Sequence, residues 1–401
     1  ANSELLALAT EHAASMIDWL EEIGVEFTDE SPILVDDHDH YSVPRTYVGT
    51  NLARSLLVPL KQELDKRIKR GDLELRLNTK VLSLIQSKNK KIIGVQVKNT
   101  NGEILDILAK TVILASGGYG ANKEMQKKYN PKVVSAKYVG LPHATGDGIN
   151  MAKQVGARLS NMDHLISYPG TVFNLKGVPT EISTRLQYPP QHFTKSIWVN
   201  KKGDRFVNEH TTPDNREVAF LSQEELFFYV LFDDNIRLEN NSLDIRNWTP
   251  KQMDEVINQG NLIVKANSIN ELAKKININT KNLSKTIAKY NENIDSNKSD
   301  EFDRKRERLK ITKAPYYAFG VGGSVLTTHG GISVNSSLEV IDKNARVIPG
   351  LYAVGEVMGN GHLMGKSVVS GMSVGPAITF GRMAAKTAFR YAQCFNDSEN
   401  D

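Results

Sequence analysis

The chain has 401 residues, 40% hydrophobic and 24% charged, enough for two domains with sizeable cores in an ordinary globular composition. Its net charge of +4 is spread thinly, and no basic block interleaves with aromatic residues, so nucleic-acid binding has no footing. The single cysteine, Cys394, excludes an internal disulfide and a cysteine-rich metal cluster, and no apolar run reaches the length of a transmembrane helix.

Leu6, Ala9, Ala13, Met16, Ile17 and Leu20 recur at helical spacing. They predict one amphipathic helix over 3–23, with Ser3 as its cap and Gly24 as its stop. The polar stretch 36–50 contains Asp37, His38, Asp39 and His40. Consecutive side chains point in different directions and no i, i+4 histidine pair is present, so the stretch reads as a surface loop rather than a metal site. A helix is expected over 52–69. Short alternating segments follow at 73–77, 81–86, 92–98 and 104–109, with Asn99-Thr100-Asn101-Gly102 as a hairpin turn between the last two.

The run from Thr111 through Val112, Ile113 and Leu114 to Ala115, Ser116, Gly117 and Gly118 reads as a buried parallel strand. It ends in small residues, as a strand does at a topological switch point. Thr145-Gly146-Asp147-Gly148 precedes a helix over 149–155, which Asp147 is placed to cap. From about 162 to 312 glycine becomes scarcer while Lys and Asn rise. Thr249-Pro250 opens one helix there, and 268–276 with 280–291 form a helical pair. The mixed-sign run 303–310 reads as a solvated helix face, and no internal repeat is present.

The stretch 330–385 carries the strongest signal. A hairpin pattern (Ile332, Val334, Leu338, Val340) leads through Pro349-Gly350 into the apolar strand Leu351-Tyr352-Ala353-Val354. That strand stops at Gly355-Glu356, a glycine-rich loop runs to Gly371, and a helix begins near Ser373 and Val374. A carboxylate at a strand end can hold a ribose or ribityl hydroxyl. Glycines admit a ligand to the backbone, and a helix N-terminus favours negative charge. Together they outline a nucleotide or flavin site.

The segments IPGLYAVGEV and GPAITFGRMAAKTA resemble the C-terminal FAD-contacting part of the fumarate reductase/succinate dehydrogenase flavoprotein superfamily. That superfamily includes soluble fumarate reductases, urocanate reductase and 3-ketosteroid dehydrogenases. TVILASGGYG, TGDG, GDRFVNE and ELAKKININTKNLSKTIAKYN are similar to further family segments, in family order. The resemblance implies an α/β FAD-binding domain, Rossmann-like and incomplete at the N-terminus, with an inserted α+β capping domain. Its parts are 1–161 and 313–401 for the FAD-binding domain and 162–312 for the cap. FAD is the implied cofactor, with Val81, Ala115, Ser116, Gly117, Gly118, Thr145, Gly146, Asp147, Gly355, Glu356, Ser373 and Val374 as its contacts. The family's Gly-x-Gly-x-x-Gly unit occurs nowhere in the 401 residues, which reads as a fragment or one chain of a split protein.

The resemblance also implies hydride transfer from flavin N5 to an activated C=C bond of an unsaturated carboxylate, such as fumarate or urocanate. Tyr168 occupies the position of a substrate-binding histidine, and Glu181 with Arg185 that of a proton relay. His362 and Lys366 match a substrate histidine and a carboxylate-binding arginine. Pro213 replaces the family's acid arginine, leaving Arg216 either to reach that place in a remodelled loop or to be a surface residue. Thr327 stands at a second substrate histidine, with His329 two residues on. The alternatives are a 3-ketosteroid dehydrogenase-like flavoenzyme and a truncated, non-catalytic flavin-binding fragment. A small unsaturated acid, with an electron-donor domain or a reduced flavin- or NADH-linked partner, is the expected company. A cytoplasmic location without a membrane span is the expected setting.

Overall fold

Ten consecutive residues, Tyr316–Val325, are buried along nearly their whole length and form the spine of a seven-stranded mixed sheet. The computed structural model describes residues 1–34, 42–164, 166–184, 195–239, 249–296, 298–305, 308–369 and 371–394. The sheet runs in the order Pro179–Ser183, Tyr168–Phe173, Tyr316–Val325, Phe227–Asp233, Ile197–Val199. Ile263–Ala266 and Lys137–Tyr138 also pair with the spine. The spine lies within the span assigned by sequence to the second FAD-binding part, yet it packs with the core of residues 197–290.

That core is aromatic. Trp198 stacks on Phe228 with ring centroids 4.7 Å apart, and Phe220 meets Phe228 edge-on at 5.7 Å. The helices Pro250–Gln259, Ile269–Lys275 and Thr280–Asp295 cover it with Met253, Ile257, Leu272, Leu283 and Ile287. Thr249 and Gln252 close the expected helix start with a reciprocal capping box, satisfying two of the N–H groups a helix end leaves unpaired. Beside the aromatic core lies a buried ion cluster. Arg205 holds Glu209 and Asp300, and Arg304 donates to Glu209 at 2.9 Å.

A second core surrounds a three-stranded sheet of Glu339–Ile341, Val347–Ala353 and Val112–Leu114. The last two run parallel, with Leu351 opposite Val112 and Ala353 opposite Leu114, but of the expected buried strand only Leu114 is buried, Val112 being half-buried and Ile113 exposed. The helices Ser3–Glu11 and Val374–Cys394 bury Leu5, Ala9, Phe380 and Ala384 against it. Lys80–Gln86, Ile92–Lys98 and Ile104–Leu108 form a separate antiparallel meander, turned by the expected Asn99–Gly102 hairpin.

Several local expectations are corrected. The predicted helix 3–23 is two helices, Ser3–Glu11 and Ala13–Glu22, broken where His12 leaves helical geometry (φ −100°, ψ 2°). Its cap is Asn2, whose side chain accepts from the Glu4 and Leu5 N–H groups, and not Ser3. Residues 73–77 form no strand, and within them the Arg76 side chain donates to the Glu74 carboxylate. The hairpin at 332–340 does form, with a Val334–Val340 bridge and Asn335 and Ile341 N–H groups donating to the Glu339 and Ser333 carbonyls, while Gly331–Ile332 pairs with Leu159–Ser160. Asp147 does not cap its helix. Gly146 holds the cap position with φ 78°, and Asp147 pairs with Lys80 at 3.5 Å. Among the described residues no helix is long and apolar enough to cross a membrane.

Candidate functional site

The two parallel strands end side by side, which sets residues 115–118 against Gly355 and Glu356. Thr328 joins them. The Tyr119 N–H donates to the Thr328 hydroxyl at 3.3 Å, and that hydroxyl and the Thr328 N–H donate to Glu356 Oε1 at 3.0 and 2.7 Å. Burial pushes the Glu356 carboxyl above its ordinary range, and the two Thr328 bonds only partly oppose this. Gly118 is required here. A Cβ on it would stand 2.0 Å from Thr328 Oγ1 and 2.3 Å from Glu356 Oε1. The TGDG turn is tied to the same place, since the Gly146 N–H donates to the Gly118 carbonyl at 3.0 Å and Ser116 packs onto Gly148.

A histidine cluster lies next along the chain. His164 and His329 both place Nδ1 2.9 Å from the Gly365 carbonyl. A carbonyl only accepts, so each Nδ1 carries the proton. Gly365 presents that oxygen from a left-handed backbone (φ 66°) that an L side chain rarely adopts. Burial lowers His329 and His362 to about 4, and both are therefore neutral at pH 7. The Nε2 atoms of both are buried without a hydrogen-bond partner. His329 also lines a small pocket together with Tyr119, Gln126, Asn130, His164, Thr328 and the apolar Val133, Ile166 and Val325.

The predicted site residues divide accordingly. Ser116, Gly118, Thr145, Gly146 and Glu356 are drawn together, with Ala115, Gly117 and Gly355 beside them in the chain. Ser373, just before the helix Val374–Cys394, bonds Asn360 at 3.2 Å, and Val374 begins the helix. Val81 lies in the antiparallel meander and packs against the same core. Tyr168 opens its strand opposite Ser324, half-buried. Glu181 is almost fully exposed and is held by Lys137 at 2.5 Å. His362 is buried in the short helix Gly361–Met364, and Lys366 is exposed just beyond Gly365. Arg185 lies outside the described residues.

Arg216 is not the surface residue that one reading expected. It is fully buried, with its guanidinium 5.9 Å from the Trp198 ring, inside the aromatic core. The sequence reading missed Thr328, Gln126, Asn360 and Lys137. Only Thr328 had a signal, its place in the TTHGG run beside Thr327. Asn360 lay within the glycine-rich loop without being singled out, while Gln126 and Lys137 are polar residues on a helix and a strand that no motif marks.

The flavin end of FAD fits this arrangement. Glu356 is a buried carboxyl at a strand end, and a Cβ placed at Gly117 or Gly371 would meet nothing within 4 Å, so backbone there borders open space. Ser116 to Gly118, Glu356 and the Ser373–Val374 turn would hold the group. The Gly-x-Gly-x-x-Gly turn that cradles a pyrophosphate is not in this sequence.

A family model described as FAD binding domain matches residues 1–379. The fumarate reductase (cytochrome) of Shewanella frigidimarina is 31% identical over 97% of this chain and 63% of its own length. The urocanate reductase of Eggerthella lenta is 33% identical over 86% of this chain and 56% of its own. Among solved structures, the open conformation of a flavocytochrome c3 fumarate reductase superposes with a TM-score of 0.71 at 28% identity, covering 97% of this chain and 64% of that one. The chain spans about three fifths of the length of the curated relatives it matches first.

Proposed function

The chain belongs to the FAD binding domain family, within the fumarate reductase flavoprotein superfamily, and on that premise we propose that it forms the catalytic part of a reductase that saturates an activated C=C bond of an unsaturated carboxylate. FAD, when bound, supplies the hydride. The observation that carries the reading is the Thr328–Glu356 network, which fastens the flavin-side turn to the wall of a small pocket. In this reading Lys366 neutralises the substrate carboxylate as a point charge, without the bidentate fork an arginine would give. Tyr168 donates the proton to the second carbon, and the Lys137–Glu181 pair relays protons from solvent. Residues 162–312, with Tyr316–Val325 as their central strand, serve as a cap that excludes water, while 1–161 and 313–401 hold FAD. Electrons arrive from a donor domain or a reduced carrier outside these residues.

Anaerobic oxidation of the reduced flavin by fumarate, urocanate, acrylate and simple enones tests this on the full-length protein loaded with FAD. Reoxidation by at least one unsaturated acid is expected, and none by any of them refutes the reading.

A further inference from the structure

We propose that His164 and His329 are positioning residues, which clamp the Gly365 carbonyl from two separate segments and so hold Lys366 where it meets the substrate carboxylate. The inference rests on the reductase reading and names what sets its carboxylate-binding group in place.

The Gly365–Lys366 peptide is the middle of a tight turn. The Ser367 N–H donates to the Met364 carbonyl at 3.2 Å, and Gly365 has φ 66° and ψ −119°, the first central position of a type II′ turn. Such a turn closes through its outer residues, so the carbonyl of its central peptide takes no part in the closing bond and needs partners elsewhere. Here it has two. His164 and His329 each donate Nδ1–H to it at 2.9 Å, one from the segment 161–164 and one from the stretch that follows Tyr316–Val325. One donor would satisfy the oxygen, and two that arrive from different segments also fix its direction. A peptide unit is planar from Cα to Cα, so holding the Gly365 oxygen holds the Lys366 Cα in the same plane.

The clamp is anchored on the flavin side. His329 is 1% exposed, and its own carbonyl accepts from the Gly361 N–H at 3.0 Å. The Thr328 carbonyl beside it accepts from the Asn360 N–H at 3.2 Å. A Cβ at Gly359 or Gly361 would stand 2.4 or 2.8 Å from the His329 carbonyl oxygen, so this approach requires both glycines. Thr328 also holds Glu356 Oε1 by two bonds. The dipeptide Thr328-His329 therefore ties the flavin-side carboxyl to one end and the lysine turn to the other. Lys366 is exposed, and an ammonium on a flexible stem is a mobile point charge. Fixing its Cα narrows where that charge can go.

Anaerobic single-turnover reoxidation of the full-length, FAD-loaded protein tests this, with acrylate, urocanate and fumarate each compared with its fully methylated ester. An acid that reoxidises the flavin should half-saturate at about tenfold lower concentration than its ester, and Lys366→Met should abolish that preference. His329→Leu and His164→Leu should each raise the half-saturating concentration of the acid about threefold to tenfold. The limiting rate and the half-saturating concentration of the ester should change less than about threefold. His329→Asn, whose amide offers an N–H near the place of Nδ1–H, should recover most of the loss. Added to Lys366→Met, His329→Leu should cost no further preference, because it acts through the lysine. A second readout needs no turnover. Trypsin, followed by mass spectrometry, should cut after Lys366 at least about fivefold faster in either leucine variant than in the parent or in His329→Asn. Near-UV circular dichroism identifies a variant that has not folded, and the other then decides.

An acid preference unchanged in both leucine variants, a loss shared equally by the ester, no recovery in His329→Asn, or unchanged cleavage after Lys366 overturns the positioning role. A preference that survives Lys366→Met overturns the lysine's part in the reductase reading and the positioning role with it. No reoxidation by any acid overturns the reductase reading, and faster cleavage in the leucine variants then still supports the clamp on Lys366.

Discussion

Glu209 is the residue whose removal should cost this protein most outside the site. Its Oε1 accepts from the Trp198 N–H at 3.0 Å and from Arg205 Nε at 2.9 Å. Its Oε2 accepts from Arg205 Nη2 at 2.7 Å and Arg304 Nη1 at 2.9 Å. Burial alone would raise this carboxyl, but Arg205 and Arg304 outweigh it and bring it from 4.5 to about 2. That fall corresponds to about 3 kcal/mol, in line with the cost of breaking a buried pair. The folded value lies below the unfolded one, so the contribution is complete above about pH 4.5 and is lost as pH falls toward 2. Glu209→Gln replaces an accepting oxygen with an NH₂ group that faces arginine donors. Urea unfolding followed by tryptophan fluorescence should show the variant about 3 kcal/mol less stable at pH 7. The gap should narrow steadily below pH 4.5, because the protonated carboxyl and the amide become equivalent. A gap under about 1 kcal/mol at pH 7, or one that does not shrink in acid, would refute the reasoning.

Gly118→Ala should cost about 1–3 kcal/mol in the same urea assay, because its Cβ would overlap Thr328 Oγ1 and Glu356 Oε1; a neutral result would mean the turn can open freely. Glu356 has a raised folded pKa, so its native state holds the proton more tightly and stability falls as pH rises out of the carboxylate range. Glu356→Gln should flatten that decline in thermal melts of the flavin-free protein between pH 5 and 8, and an unchanged slope would assign it to another group. Tyr168→Phe should lower the single-turnover rate of flavin reoxidation about a hundredfold or more with little change in substrate binding. A rate within threefold of the parent would remove Tyr168 from the proton path.

The parts of the fold legible in the sequence were those whose signal is local. The apolar run before Gly117 and the strand leading to Glu356 both formed strands, and they pair in parallel as a switch-point site needs, although Ile113 of the first is exposed. The Thr249-Pro250 start formed with its full capping box. The misreadings share a cause, which is competition decided by tertiary partners. Ser3 was read as the cap, but the chain path places the Asn2 side chain on the Glu4 and Leu5 N–H groups instead. Asp147 was an eligible cap, but the Gly146 carbonyl-side geometry and the Lys80 ammonium took it out of that role. The surface alternative for Arg216 failed because the side chain is buried beside Trp198, which is eighteen residues away in the chain and stacked on Phe228 of another strand.

Specificity is less legible than cofactor binding for the same physical reason. A flavin is met mostly by backbone, so glycines and a helix start report it at fixed spacing, as 355–374 does. A substrate pocket is met by side chains gathered from distant segments. Here the turn that carries Lys366 is met by His329, 36 residues before the Gly365 carbonyl it donates to. The residue type does not announce that contact, since a histidine nitrogen can present either a donor or an acceptor. The choice is made by the carbonyl that faces the ring.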